Sequence, residues 1–91
     1  MKSIYKFPLR VEDIQMIDMP VGIKILTVQT QNEIPCIWGM IDKDQPRATG
    51  HWFRTFGTGH PIDKDFKGNY IGTYQLNNES LVFHVFEFEQ K

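Results

Sequence analysis

The fold of this chain is decided by residues 23–41, which read IKILTVQTQNEIPCIWGMI. Residues 23–30 are rich in β-branched and bulky apolar side chains, a composition typical of a β-strand. The polar residues 31–33 interrupt this pattern, and the apolar side chains return over residues 34–41. Two apolar runs joined by a short polar turn predict a β-hairpin.

The rest of the chain repeats this pattern of short apolar runs ended by turn residues. We expect further strands at residues 4–9, 13–19, 51–56, 70–76 and 81–88, the last two joined as a hairpin by residues 77–80. No segment shows the 3.6-residue apolar repeat of an amphipathic helix. The sequence therefore predicts a single mainly β domain over residues 1–91, a small antiparallel β-sandwich or open barrel of about six or seven short strands. At most a short helical turn is expected near residues 63–68.

Composition limits the classes of function. The chain of 91 residues has a net charge of −1, which gives no general attraction to nucleic acid. The N-terminal residues have no apolar region of the kind that signal peptides contain, so we expect no signal peptide. No run approaches the about 20 apolar residues that span a bilayer. The single cysteine, Cys36, excludes an internal disulfide and a multi-cysteine zinc site. We therefore expect a cytoplasmic protein that binds neither nucleic acid nor membrane and that carries no cofactor.

A glycine-framed loop follows an aromatic strand in residues 53–62, FRTFGTGHPI. Gly57 and Gly59 allow backbone N–H groups to converge on one point, and Arg54, Thr58 and His60 add side-chain donors. This combination is typical of a pocket for an anion or a nucleotide phosphate. The competing interpretation is an ordinary turn, because paired glycines between strands usually form one and a proline fixes its exit. The loop matches neither a P-loop nor a dinucleotide fingerprint.

Aromatic side chains accompany the arginine. In a strand, Trp52, Arg54 and Phe56 share one face, so Trp52 is a candidate for stacking on a base while Arg54 binds phosphate. The alternative is an arginine that reaches out of an apolar face to a carboxylate. Tyr70 is a second candidate for stacking, because Gly72 leaves a gap beside it. The alternative there is that a neighbouring aromatic side chain fills the gap.

The residues for catalysis or metal binding do not form a recognisable set. His51, His60 and His84 have the spacing of no zinc motif. His84 lies between Val82 and Phe86 on its own strand face, which predicts a core histidine. No acid, base and nucleophile form a coherent group. We therefore expect no catalytic residue and no metal ligand.

Several motifs together carry a resemblance to a known family. They are FGTGHPI at 56–62, YIGT with QL at 70–76, LVFHVFE at 81–87, IYKFP at 4–8 and IPCIW at 34–38. Over nearly its whole length, the chain resembles a family of small uncharacterised proteins that phages and prophages encode, a domain of unknown function. The resemblance implies a phage context, in which small proteins often counter host defence and one class sequesters nucleotide immune messengers.

These observations combine into one expected function and two alternatives. We expect a phage-encoded, non-enzymatic, homo-oligomeric binding protein that sequesters a small nucleotide-derived ligand, of the ADP-ribose or cyclic nucleotide messenger type, in the infected bacterial host. The expected ligand-binding residues are Trp52, Arg54, Gly57, Thr58, Gly59, His60 and Tyr70. The alternatives are a protein that inhibits a host defence enzyme by direct contact and a structural phage domain with no small ligand.

Overall fold

The computed structural model, which describes residues 1–90, consists of seven antiparallel β-strands in two sheets. The strands are β1 Lys2–Pro8, β2 Ile14–Pro20, β3 Lys24–Gln31, β4 Ile34–Asp42, β5 Ala48–Gly57, β6 Asn69–Leu76 and β7 Leu81–Phe88. One sheet has three strands in the order β1-β4-β3, and the other has four in the order β2-β5-β7-β6. The predicted mainly β fold is confirmed, and over residues 1–90 the sheets do not close into a barrel. Within that range, no helix has the length and apolar content needed to cross a membrane.

Both predicted hairpins form, and their turns have the backbone conformation that tight turns require. Asn32 and Glu33 join β3 to β4 with φ values of 53° and 63°, so both central residues of this two-residue turn are left-handed, as in a type I′ turn. The turn between β6 and β7 also has positive φ values over residues 77–79. The Glu33 side chain accepts a hydrogen bond of 2.7 Å from the backbone N–H of Asn77, which links the two hairpin tips.

The hydrophobic core lies between the two sheets. Its most deeply buried side chains include Phe53 of β5, Ile37 of β4 and Val28 of β3. Because side chains alternate along a strand, the inward position of Phe53 turns Trp52 and Arg54 to the other side of β5. The predicted division of this strand into two faces is confirmed, and it fixes where the candidate site lies.

The connection at residues 63–68 is a hydrogen-bonded turn instead of a helical one. The backbone N–H of Phe66 donates to the carbonyl of Asp63 over 2.9 Å, and the Asp63 carboxylate accepts from the N–H of Asp65 over 2.7 Å. An aspartate that binds the backbone two residues ahead stabilises such a turn without helix formation. The ring of Phe66 occupies the space where a side chain on Gly68 would lie.

A close approach of β3 to β6 joins the two sheets. A Cβ atom on Gly72 would lie 2.9 Å from Cγ1 of Val28, so only glycine permits this approach. The gap that Gly72 leaves is therefore filled by Val28, and neither a ligand ring nor an aromatic side chain occupies it. A register shift between Tyr70 and Gly72 in the pairing of β6 with β7 accompanies the approach and turns Tyr70 and Gly72 to opposite faces of the sheet.

Candidate functional site

The candidate site lies on the outer face, which we define as the side of the four-stranded sheet that is turned away from the core. Strand pairing places Arg54, Phe86 and Tyr70 in one row across β5, β7 and β6. Neighbouring strands are about 4.8 Å apart, so a row of three side chains spans about 10 Å. The next row contains Phe56, His84 and Thr73.

An aromatic platform covers much of the outer face. It consists of Trp52, Phe56, Phe66, Tyr70, Phe86 and Phe88. The ring of Phe66 packs edge-to-face against Phe56 and Phe86, with centroid distances of 5.3 and 5.6 Å, an arrangement that the aromatic quadrupole favours. Tyr70, at the margin of the platform, is 58% exposed, whereas Trp52 is half-buried. The ring of Tyr70 is therefore the more accessible of the two predicted stacking surfaces.

Arg54 extends over the platform and reaches an acidic residue. Its guanidinium carbon lies 4.2 Å from the centroid of the Phe56 ring, a cation–π contact. Its Nη1 donates to the backbone carbonyl of Asp13 over 3.2 Å and lies 3.9 Å from the Asp13 carboxylate. The alternative of an arginine reaching a carboxylate is thus what the structure contains. Because the Asp13 side chain is 90% exposed, this ion pair is weak. Nη1 also donates to the backbone carbonyl of Thr55 over 3.1 Å, and the Arg54 side chain is 26% exposed.

A chain of hydrogen bonds crosses the outer face through His84. The Nε2 atom of His84 lies 2.7 Å from the Thr58 hydroxyl, and its Nδ1 atom lies 2.9 Å from the Thr73 hydroxyl. The Thr73 hydroxyl is in turn hydrogen-bonded to that of Tyr70. We call these four residues the hydroxyl–imidazole chain. It joins two predicted ligand-binding residues, Thr58 and Tyr70, through His84 and Thr73. Neither of these two was predicted to belong to the site.

The prediction of a core histidine at position 84 is wrong. Val85 is fully buried and faces the core, so strand alternation places His84 on the outer face. The apolar flanks Val82 and Phe86 share the face of His84, but that face is the outer one. Both faces of β7 carry apolar residues, so the sequence alone held no signal that His84 faces outward.

The glycine-framed loop forms a tight turn whose amides are largely occupied. The backbone N–H of Thr58 donates to the carbonyl of Val82 over 3.2 Å, and that of His60 donates to the carbonyl of Gly57 over 3.1 Å. Gly59 has a φ of 86°, the left-handed conformation that favours glycine. Two of the amides expected to converge on an anion are therefore used within the turn, as the competing interpretation of an ordinary turn requires.

The same turn separates the side chains of Thr58 and His60. Thr58 reaches His84 on the outer face. The ring of His60 lies within 2.8 Å of the position that a Cβ on Gly57 would take, and it lines a cavity of about 70 Å³ with Thr55 of the core-facing side. The structure therefore brings together Trp52, Arg54, Thr58 and Tyr70 of the predicted site. It leaves Gly57, Gly59 and His60 outside that group.

Two larger depressions flank the sheets. One, of about 650 Å³, adjoins the aromatic platform and is lined by Phe66, Lys67 and Phe88 among others. The other, of about 670 Å³, lies between the hairpin tips and is lined mainly by polar side chains such as Gln29 and Gln75. The first depression extends the platform, and it is lined by one basic residue, Lys67, and by two acidic residues, Glu87 and Glu89.

The remaining polar groups of interest face inward. His51 Nδ1 lies 2.6 Å from the carboxylate of Glu87. The hydroxyl of Tyr74 is buried without a hydrogen-bond partner among residues 1–90, and burial raises the pKa of Tyr74 above its usual value of 10.0. No cluster of three or more potential metal ligands occurs within the described part of the chain.

Comparison with known proteins identifies a domain family and no assigned chemistry. The domain of unknown function DUF7352 matches residues 1–91. No curated protein and no solved structure matches the chain.

Proposed function

The chain belongs to the DUF7352 family, a domain of unknown function, and we propose that it is a non-enzymatic module that binds a small nucleotide-derived ligand on its outer face. One observation carries this proposal. Four of the residues expected to bind the ligand, Trp52, Arg54, Thr58 and Tyr70, lie on the same face as the aromatic platform. Stacking surfaces, a cation and hydroxyl groups together match a ligand that has both a planar ring and an anionic group.

The geometry favours Tyr70 over Trp52 as the residue that stacks on the ring of the ligand. Along β5, Thr58 lies six residues from Trp52 and four from Arg54, which corresponds to about 20 and about 14 Å at the rise of an extended strand. Arg54 and Tyr70 belong to the same row. Arg54 is within about 10 Å of both aromatic residues, but only Tyr70 is linked to Thr58 by hydrogen bonds. A compact nucleotide stacked on Tyr70 is therefore closer to Thr58 than one stacked on Trp52. Stacking of a base on an aromatic side chain contributes about 1–3 kcal/mol.

Arg54 supplies the charge complementarity for a phosphate. In the free protein its guanidinium is held by the backbone and by the exposed Asp13 carboxylate. A phosphate offers bidentate hydrogen bonds and a larger charge than this surface ion pair, so it competes well for the guanidinium. The depression beside the platform contains Lys67 but also Glu87 and Glu89, so Arg54 is the principal cation of the site.

The biological role that we propose is sequestration of a nucleotide immune messenger in the cytoplasm of an infected bacterium. The resemblance to small phage-encoded proteins supports this role, and the absence of a recognisable catalytic set in the sequence agrees with binding without turnover. We propose a homo-oligomer as the working form, because β2 is an edge strand with backbone groups available to a second copy.

The proposal is tested by isothermal titration of the protein with ADP-ribose, cyclic ADP-ribose and cyclic dinucleotides. We expect one of these to bind, and we expect Arg54→Ala and Tyr70→Ala each to weaken binding at least tenfold. Arg47→Ala and Tyr5→Ala are matched controls, because both residues are exposed and lie away from the outer face. Retention of full affinity by both site variants would refute the site, and absence of heat with every nucleotide would refute the ligand class.

A second candidate function is direct binding of a host protein. The observation that favours it is the continuation of the aromatic platform onto edge strand β2, where Ile14 and Met16 are 47% and 44% exposed. A contiguous apolar surface of this kind is typical of protein interfaces. Capture of one host protein by the wild type, lost in Met16→Asp and unaffected by nucleotides, would select this function over the first.

A further inference from the structure

His84 connects the two ends of the proposed site. We infer that it is a positioning residue that makes the Thr58 hydroxyl a directed hydrogen-bond donor to the anionic group of the ligand. This inference rests on the proposed function for the identity of the ligand. The direction of the hydrogen bonds is a property of the free protein and does not depend on the ligand.

The starting observation is that both ring nitrogens of His84 are engaged. Thr58 is at Nε2 and Thr73 is at Nδ1, with N···O distances of 2.7 and 2.9 Å. A neutral imidazole has one donor nitrogen and one acceptor nitrogen. The two threonines must therefore play opposite roles toward the ring, since one donates to it and the other accepts from it.

The chemistry of the end groups selects one direction. A phenol is a stronger acid than an aliphatic hydroxyl, so Tyr70 is the better donor and Thr73 the better acceptor. When Tyr70 donates to Thr73, donation by the Thr73 hydroxyl to Nδ1 of His84 continues the chain, and the bonds of a continuous chain strengthen one another. A Thr73 that accepted from both neighbours would interrupt it. Nε2–H then donates to the oxygen of Thr58. The Thr58 hydroxyl proton then has no partner in the chain and is free to point outward, because the residue is exposed at the turn. In the opposite direction, Thr58 gives its proton to the ring.

The consequence is selectivity for a hydrogen-bond acceptor at the Thr58 end. A phosphate or carboxylate oxygen accepts from the free hydroxyl proton, whereas an amide N–H or an ammonium group has only the one lone pair of the Thr58 oxygen that Nε2–H does not occupy. Hydrogen bonds in a chain polarise one another, so each upstream bond strengthens the terminal donor. Tyr70 consequently has two roles, since its ring stacks and its hydroxyl starts the chain.

The direction is measured by two-bond ¹H–¹⁵N NMR of the His84 ring in the free protein at pH 8. We expect a proton on Nε2 and none on Nδ1. A ring protonated at Nδ1, whether alone or together with Nε2, overturns the inference. Tyr70→Phe keeps the aromatic ring and removes the first donor, so it should shift the tautomer balance of His84 toward a mixture. An unchanged ring spectrum in this variant also contradicts the role of Tyr70.

The contribution to binding is measured with ADP-ribose. We expect Thr58→Val to weaken binding by about threefold to tenfold, the effect of losing one hydrogen bond. Thr58→Ser keeps the hydroxyl and should retain the wild-type affinity. Equal affinity of Thr58→Val and the wild type overturns the donor role. If ADP-ribose does not bind the wild-type protein, the ADP-ribose form of the proposed function fails, and the tautomer of His84 still decides the direction of the chain.

Discussion

Replacement of Gly72 by alanine tests the packing that joins the two sheets. A Cβ at this position would lie 2.9 Å from Cγ1 of Val28, and 3.6 Å from its backbone N and O atoms. Ordinary van der Waals contacts of a Cβ begin near 3.4 Å, so the new methyl group overlaps Val28 by about 0.5 Å. Val28 is only 1% exposed and its χ1 angle is restricted by β-branching, so it has little freedom to move away.

The expected magnitude combines two opposing effects. Overpacking of a filled core costs about 1–3 kcal/mol. Loss of the unfolded-state flexibility of glycine offsets about 0.4–1 kcal/mol of that cost. We therefore expect Gly72→Ala to lower the free energy of unfolding by roughly 1.5 kcal/mol, which corresponds to a decrease in Tm of about 6–12 °C for a domain of this size.

The assay is urea denaturation together with thermal unfolding, both followed by circular dichroism. Gln75→Ala is the matched control, because Gln75 is exposed on the same strand and should change stability by less than about 0.5 kcal/mol. The double variant Val28→Ala/Gly72→Ala should be more stable than the sum of the single effects predicts, by at least about 0.5 kcal/mol. A neutral Gly72→Ala with strict additivity would refute the close approach of β3 and β6.

Further predictions concern three residues of the core and the turn, namely Tyr74, Phe53 and Gly57. Tyr74→Phe should leave stability unchanged or increase it by about 1 kcal/mol in urea denaturation, because the buried hydroxyl has no partner among residues 1–90. Burial raises the pKa of Tyr74 in the folded state, so the folded protein holds the phenolic proton more tightly than the unfolded chain. Stability should therefore fall as the pH rises above about 10, and a pH series should show a smaller fall in Tyr74→Phe. Phe53→Ala should cost about 3–5 kcal/mol, because this ring is fully buried; a loss below 1 kcal/mol in the same assay would contradict its place in the core. Gly57→Ala should displace the exposed ring of His60 and change the NMR shifts of that ring, with a Tm within a few degrees of the wild type.

Much of the fold was predictable from the sequence because strand signals are local. The polar residues at 31–33 lie between two apolar runs, and they form the turn of the β3–β4 hairpin. The face division of β5 follows from alternation alone, since Phe53 points into the core. The pairing of β2 with β5 and of β5 with β7 was not predictable, because it depends on contacts between segments that are distant in sequence.

Residues of the candidate site were predictable from the sequence only where they lie on one strand. Trp52 and Arg54 were assigned to one face by alternation, and the structure keeps them there. The role of His84 was missed, because apolar neighbours on its strand suggested burial and sequence does not reveal which face of β7 meets the core. Thr73 was also missed, because the register shift between Tyr70 and Gly72 that turns it toward His84 depends on the packing of Gly72 against Val28.

The most direct test of the account is a ¹H–¹³C NMR titration of the aromatic and threonine methyl signals with the nucleotide that binds best. Binding on the outer face predicts that shift changes concentrate on Tyr70, Phe86 and Thr58. Thr30, which lines the depression between the hairpin tips and lies on the other sheet, should remain unchanged. Shift changes confined to that depression, or none with any nucleotide, would contradict the account.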